Sequence, residues 1–172
     1  PKIEGYAAVL SGSCSRATNA QVALMAETSP SFQVDPLALA RGEAVAQAAI
    51  DWATPKLADG QVLVYATAEP DAVRRIQAEL GVDKAGALVE DAMATIARGL
   101  VDAGVRRLVV AGGETSGAVV GALDVPGLRI GPEIDPGVPW TASLGNPELL
   151  LTLKSGNFGT EDFFTKAFGI LP

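Results

Sequence analysis

The chain has 172 residues, 48% of them hydrophobic and 19% charged, a composition that folds and excludes a disordered protein. Its net charge is −7 with scattered Lys and Arg, which argues against a broad nucleic-acid surface but allows a local phosphate site built from backbone N–H groups. It has no histidine and a single cysteine, Cys14, which removes Ser-His-Asp chemistry, His-ligated metals, internal disulfides and thiolate clusters.

Residues 6–10, YAAVL, read as a short buried strand, followed by SGSCS and a helix over RATNAQVALMAET that Ser15 or Thr18 could cap. SFQVD is a candidate second strand. Asp35 and Pro36 then start a long helix through LALARGEAVAQAAIDWAT. QVLVYAT is a third strand, and AEPDAVRRIQAELGVDKAG reads as a helix plus a connection. AGALVEDAMATIARGLVDAG is an amphipathic helix closed by Gly104, RRLVVA a fourth strand and TSGAVVGAL a short helix. After LRIG, PEIDPGVPWTAS reads as a rigid turn, LLLTLKS as a further strand, and TEDFFTKAFGI as a closing helix. That helix would be capped by Thr160, with Glu161 and Asp162 in its first turn. Strands alternating with helices predict an α/β fold: a largely parallel sheet with helices on both faces, in a single domain.

Three segments share the form of apolar strand, small-residue loop and helix: Ser11-Gly12-Ser13-Cys14-Ser15, Gly112-Gly113-Glu114-Thr115-Ser116-Gly117, and Ser155-Gly156-Asn157-Phe158-Gly159. In an open parallel sheet all three would lie on the edge where ligands bind, each opening a helix whose free N–H groups favour an anion. Glycines let a phosphate approach backbone, and the hydroxyls add donors. Plain turn chemistry is the competing reading of each loop, and none matches a P-loop or a dinucleotide fingerprint. Lys154 either reaches a phosphate or points to water. Glu114 beside phosphates needs a cation, ribose hydroxyls or Mg²⁺ as partner. Arg16 is either solvated or close to the first loop. Trp140 reads as a core or interface residue more readily than a base-stacking one, and Cys14 as a small packed residue rather than a nucleophile.

LSGSCSRATNAQV, GGETSGAVVGAL, GPEIDPGVPW and LLLTLKSGNFGTEDFFTKA together resemble the C-terminal, nucleotide-binding part of the four-carbon acid sugar kinases, from near Tyr6 to near Leu171. The resemblance implies a two-domain parent enzyme in which residues 1–172 are the nucleotide-binding domain and the N-terminal sugar-acid domain is absent here. It implies ATP contacts at Ser11, Gly113, Glu114, Thr115, Ser116 and Gly156, with Ser13, Gly112 and Lys154 as further phosphate contacts, and Mg²⁺ as the accompanying ion with no protein metal cluster. The implied reaction transfers the γ-phosphoryl group to the terminal hydroxyl of a four-carbon sugar acid. The acceptor would be held by the other domain, and the catalytic base is left unassigned. The start at Pro1, with no Met, fits a piece of a longer polypeptide.

Two other classes compete: a non-catalytic nucleotide or phosphometabolite sensor, and an assembly module whose loops are only structural. No apolar run approaches the ~18 residues that span a bilayer, and no signal-peptide pattern is visible. The expectation is a cytoplasmic protein with no nucleic-acid or membrane partner. Oligomeric state is open, with a homo-oligomer to be tested.

Overall fold

A computed structural model describes residues 2–172. Its strands are β1 (Tyr6–Ser11), β2 (Ser31–Gln33), β3 (Val62–Tyr65), β4 (Val105–Ala111), β5 (Leu128–Asp135), β6 (Val138–Ser143) and β7 (Leu150–Lys154). They form one sheet in the order β2-β3-β1-β4-β7-β6-β5. Pairing is parallel from β2 to β7 and antiparallel for β7-β6 and β6-β5. The helices are α1 (Arg16–Ala26), α2 (Pro36–Ala40), α3 (Val45–Ala53), α4 (Pro70–Leu80), α5 (Val82–Asp102), α6 (Gly113–Ala122) and α7 (Phe163–Gly169), with a 3-10 segment over Thr54–Asp59.

The apolar runs of the central strands divide between two clusters. Ala8, Leu10, Val62, Val64, Leu108 and Val110 join Ala49 and Ala53 of α3, Met93, Ile96 and Leu100 of α5, and Val119 of α6. Val9, Leu63, Val109 and Ala111 join Val22 and Met25 of α1, Trp140 of β6, and Phe163, Phe164 and Ala167 of α7. Successive strand residues point to opposite faces, so a strand buried on both has no polar position to spare. Each fully buried Val or Leu contributes about 1.5–3 kcal/mol. Exposed ion pairs such as Arg41–Glu43 contribute at most about 1 kcal/mol. The two clusters therefore hold the sheet.

Five expectations need correction. The long helix after Pro36 is broken into α2 and α3. Gly42 adopts φ +81°, and its N–H and that of Glu43 turn back to Leu39 O and Ala38 O, the double bond of a left-handed helix stop. The connection before Ala85 is helical, since α5 already starts at Val82, and α6 starts at Gly113 rather than Thr115. The segment expected as a rigid turn is the β5-β6 hairpin, with only Pro136 and Gly137 (φ +80°) turning. Alternation decides it: Ile134, Val138 and Trp140 are buried while Gly131, Pro132 and Glu133 are exposed, and β5 is an edge strand, where proline is tolerated.

The closing helix starts at Phe163, with Asp162 rather than Thr160 at the cap position and no acidic residue in its first turn. Thr160 is drawn away to the hairpin, its N–H donating to Asp135 Oδ2 at 3.0 Å. Lys166 Nζ donates to the other carboxylate oxygen at 2.5 Å. Burial works against the Asp135 charge, but these partners outweigh it and hold the carboxyl below its ordinary range.

The topology creates the crevice. From β1 the chain builds β2 and β3 on one side, then crosses to β4 on the other. Connections leaving the carboxyl ends of β1 and β4 diverge, and open α/β sheets take ligands at that point.

Candidate functional site

A cleft of about 390 Å³ lies over this switch point. Its floor is made by Gly12, Ser13 and Cys14 after β1, Gly112 to Thr115 after β4, and Gly156 after β7; α4 and α5 supply an apolar wall. The floor is tight because small residues let two connections touch. A Cβ on Gly12 would lie 2.0 Å from Thr115 Oγ1. Gly112 has φ +118°, and a Cβ there would stand 3.1 Å from the Ser13 nitrogen. Gly112 N–H donates to Lys154 O at 2.8 Å, and Gly12 N–H to Ala111 O at 2.9 Å. The three strand ends are thus stitched together by backbone.

Gly113 differs. It is the first residue of α6, and no described atom lies within 4 Å of a Cβ placed on it. No side chain among the described residues caps α6, and its first internal bond runs from Ser116 N–H to Gly112 O at 2.9 Å. The N–H groups of Gly113, Glu114 and Thr115 therefore have no partner within the helix, and they stand at the positive end of its dipole on the cleft floor. This arrangement suits an anion.

Gly112, Gly113, Glu114, Thr115, Ser13 and Gly156 are brought together around the cleft, whereas Ser11, Ser116 and Lys154 are not among its lining residues. Ser11 is fully buried, its hydroxyl 2.6 Å from that of Thr67. Ser116 is buried and its Oγ has no hydrogen-bond partner among the described residues. Lys154 satisfies neither expectation. It is 0% exposed, and Nζ donates to Gly156 O at 2.6 Å, Thr18 Oγ1 at 3.1 Å and Ser155 O at 3.2 Å. An unpartnered buried ammonium would cost several kcal/mol, while each hydrogen bond from a charged donor returns roughly 1.5–3 kcal/mol. Three bonds make the site tenable, yet burial still lowers the Lys154 pKa to about 8.

The other single-residue readings divide. Trp140 is a core residue, 0% exposed, its indole N–H donating to Ala167 O at 2.8 Å. Arg16 is exposed on the first turn of α1. Cys14 is exposed, not packed, because it follows the point where the β1 backbone has already turned up onto the cleft floor.

The sequence reading missed the wall. Val73 and Ile76 of α4 and Val82, Gly86, Val89 and Glu90 of α5 all line the cleft. The available signal was the apolar spacing of PDAVRRIQAEL in a helix with no fully buried residue. Glu90 also meets Glu114 across the cleft: burial first, and then the facing Glu114 carboxylate, raises its carboxyl above the ordinary value.

Residues 8–164 match the family of nucleotide-binding C-terminal domains. The chain belongs to this family. It is 58% identical over 172 residues to the 3-oxo-tetronate kinase of Pseudomonas fluorescens, covering 99% of this chain and 40% of the relative. It is 59% identical over 169 residues to the 3-oxo-tetronate kinase of Cupriavidus necator, covering 97% of this chain and 38% of the relative. A crystal structure of a Haemophilus influenzae protein superposes with a TM-score of 0.93 at 42% identity, over 98% of this chain and 41% of that one. The resemblance to the four-carbon acid sugar kinases is thereby borne out, and the chain spans about 40% of the length of the curated relatives it matches. Among the described residues no helix is long and apolar enough to cross a membrane.

Proposed function

We propose that this chain is the ATP-binding domain of a kinase that phosphorylates the terminal hydroxyl of a four-carbon sugar acid, with 3-oxo-tetronate as the acceptor. One observation carries the reading: an uncapped α6 whose first residue, Gly113, opens directly onto the cleft of a nucleotide-binding family member. In this reading residues 1–172 form a single domain with helices on both faces of the sheet, within a cytoplasmic two-domain parent whose other domain holds the sugar acid. Self-association of that parent is a further expectation, with no nucleic-acid or membrane partner.

The phosphates lie against the N–H groups of Gly113 to Thr115, with Ser13, Gly112 and Gly156 completing the cradle. Ser11 and Ser116 support it from behind. The Ser11 hydroxyl is already engaged with Thr67, and the Ser116 Oγ, without a partner among the described residues, is the readier of the two to meet a phosphate. Lys154 contributes its charge through the Gly156 peptide, which it polarises. None of the lining side chains is a Lys or Arg, so the polyphosphate needs a cation. The facing carboxylates of Glu90 and Glu114 are hard oxygen donors that fit Mg²⁺, directly or through its waters. Bound there, the ion would neutralise charge on the phosphates.

Phosphoryl transfer asks the protein for positioning and charge stabilisation more than for a tuned acid or base, which a histidine-free domain can supply. The acceptor hydroxyl attacks the γ-phosphorus, the bond to the β-phosphate oxygen breaks, and ADP leaves. The hydroxyl proton passes to a group outside these residues. Kinase assays on the parent enzyme and on this chain test the division of labour. The parent turns over ATP and 3-oxo-tetronate; the chain alone binds ATP without multiple turnover. Steady-state phosphorylation by the chain alone would place the acceptor site within it and contradict the reading.

A further inference from the structure

The Lys154 ammonium is fully buried and is not part of the cleft lining, and among the described residues no carboxylate pairs with it. A buried charge acts on its surroundings through the groups that accept its hydrogens. For Lys154 these are Gly156 O, Ser155 O and Thr18 Oγ1. The two carbonyls end there. Thr18 does not, because a hydroxyl that accepts one hydrogen bond still has a hydrogen of its own to give.

Donor counting fixes where that hydrogen goes. Gly156 O lies 2.6 Å from Lys154 Nζ, 2.7 Å from Ser15 Oγ and 2.9 Å from Thr18 Oγ1. A carbonyl oxygen has two lone pairs, and the two shorter bonds fill them. The Thr18 hydrogen is left for its other acceptor, Ser13 Oγ at 3.1 Å. Ser13 Oγ also accepts the Ser15 N–H at 3.2 Å. Both acceptor sites of Ser13 are then taken, and its own hydrogen has no acceptor among the described residues.

That free hydrogen stands on the cleft floor. Ser13 lines the cleft, whereas Thr18 is 0% exposed behind it. The fit is close on both sides. A Cβ on Gly156 would lie 3.3 Å from Ser13 Oγ, and one on Gly112 would lie 3.1 Å from the Ser13 nitrogen. Ser13 is therefore clamped between the segments after β4 and β7, beside the start of α6. A hydroxyl that accepts from a chain with a cation at its head donates more strongly in turn.

We propose that Thr18 is a positioning residue that relays the Lys154 charge to Ser13, along Lys154 N–H, Thr18 O–H and Ser13 O–H, and so fixes the Ser13 hydroxyl as a donor to a phosphate oxygen. The inference rests on the nucleotide-binding reading above and deepens it. Lys154 then reaches the phosphates through side chains as well as through the Gly156 peptide. Valine has the shape of threonine without the hydroxyl, and it leaves in place the residue-18 N–H that donates to Ser15 Oγ at the cap of α1.

The test is a double-mutant cycle, read by calorimetric titration with Mg²⁺-ATP and with adenosine as the probe without phosphates. Ser13→Ala loses ATP affinity by about tenfold and Thr18→Val by about fivefold, with adenosine affinity within about twofold in both. Thr18→Ser, which restores the hydroxyl, recovers most of the loss. In the Ser13→Ala background Thr18→Val costs less than a further twofold, because the hydroxyl it acts through is gone. The pair of Lys154→Met with Ser13→Ala gives a second cycle that does not depend on the folding of Thr18→Val. Its combined loss falls short of the product of the single losses by at least about threefold. Full ATP affinity in folded Thr18→Val, an equal loss in Thr18→Ser, or losses that simply multiply in either cycle overturn the relay and leave nucleotide binding standing. Failure of the unsubstituted chain to bind ATP removes both readings together.

Discussion

The segments after β4 and after β7 are alike in composition, GGETSG against KSGNFG, yet they are built for different tasks. After β4 the helix starts at once and leaves its first N–H groups on the cleft floor without a capping side chain among the described residues. After β7 eight residues intervene before α7, and most of their carbonyls are occupied. Gly156 O accepts from Ser15 Oγ at 2.7 Å, Thr18 Oγ1 at 2.9 Å and Lys154 Nζ at 2.6 Å. The Gln21 amide donates to the carbonyls of Phe158, Gly159 and Thr160. One segment offers free donors to a ligand; the other is held rigid from beneath. Small polar residues after a strand therefore do not identify a phosphate cradle by themselves. What distinguishes the two is that one leaves its first backbone donors free while the other has its backbone acceptors engaged.

The largest expected effect is at the free segment. Gly113→Val puts a branched side chain where the protein has nothing but the phosphates would lie. ATP affinity should fall by about 3 kcal/mol or more, roughly a hundredfold, with the ligand-free melting temperature little changed. Equal ATP binding in the folded variant would show that the segment is only a turn. Gly12→Ala should do the reverse. Its Cβ would press on Thr115, so stability falls by about 1–3 kcal/mol in a denaturant titration even with no ligand present.

At the braced segment, Lys154→Met removes one of three donors to Gly156 and the buried charge behind it. ATP affinity at neutral pH should drop about tenfold. The pH dependence sharpens the point. With a folded pKa of about 8 against the ordinary lysine value of 10.5, the unfolded chain holds more protons between those limits. Stability of the unsubstituted chain should therefore rise as pH increases across that window, and Lys154→Met should lack the rise. ATP favours the charged lysine, so binding should weaken over the same range in the unsubstituted chain only. A parallel pH profile in the variant would assign the effect to another group.

The smallest effect is Ser116→Ala. Its hydroxyl is buried without a partner, so removing it should not lower the ligand-free melting temperature. ATP affinity should fall by about 1 kcal/mol, with adenosine affinity unchanged. A lower melting temperature and an unaltered ATP-to-adenosine ratio would instead make Ser116 a helix-stabilising residue.

The parallel half of the sheet was legible in the sequence because strands buried on both faces read as unbroken apolar runs, as in Leu108 to Ala111. The β5-β6 hairpin was not, since its prolines and glycines masked the alternation of Ile134, Val138 and Trp140. The floor of the cleft was legible from its glycines. The fate of Lys154 was not, because its partners Thr18 and Gly156 are remote from each other in sequence and meet only when the start of α1 packs on the segment after β7.

Calorimetric titration of the 172-residue chain with ATP in the presence of Mg²⁺ tests the central claim most directly. A saturable, weak binding isotherm that disappears in Gly113→Val is the predicted result. A folded chain that takes up no nucleotide at millimolar concentration would contradict it.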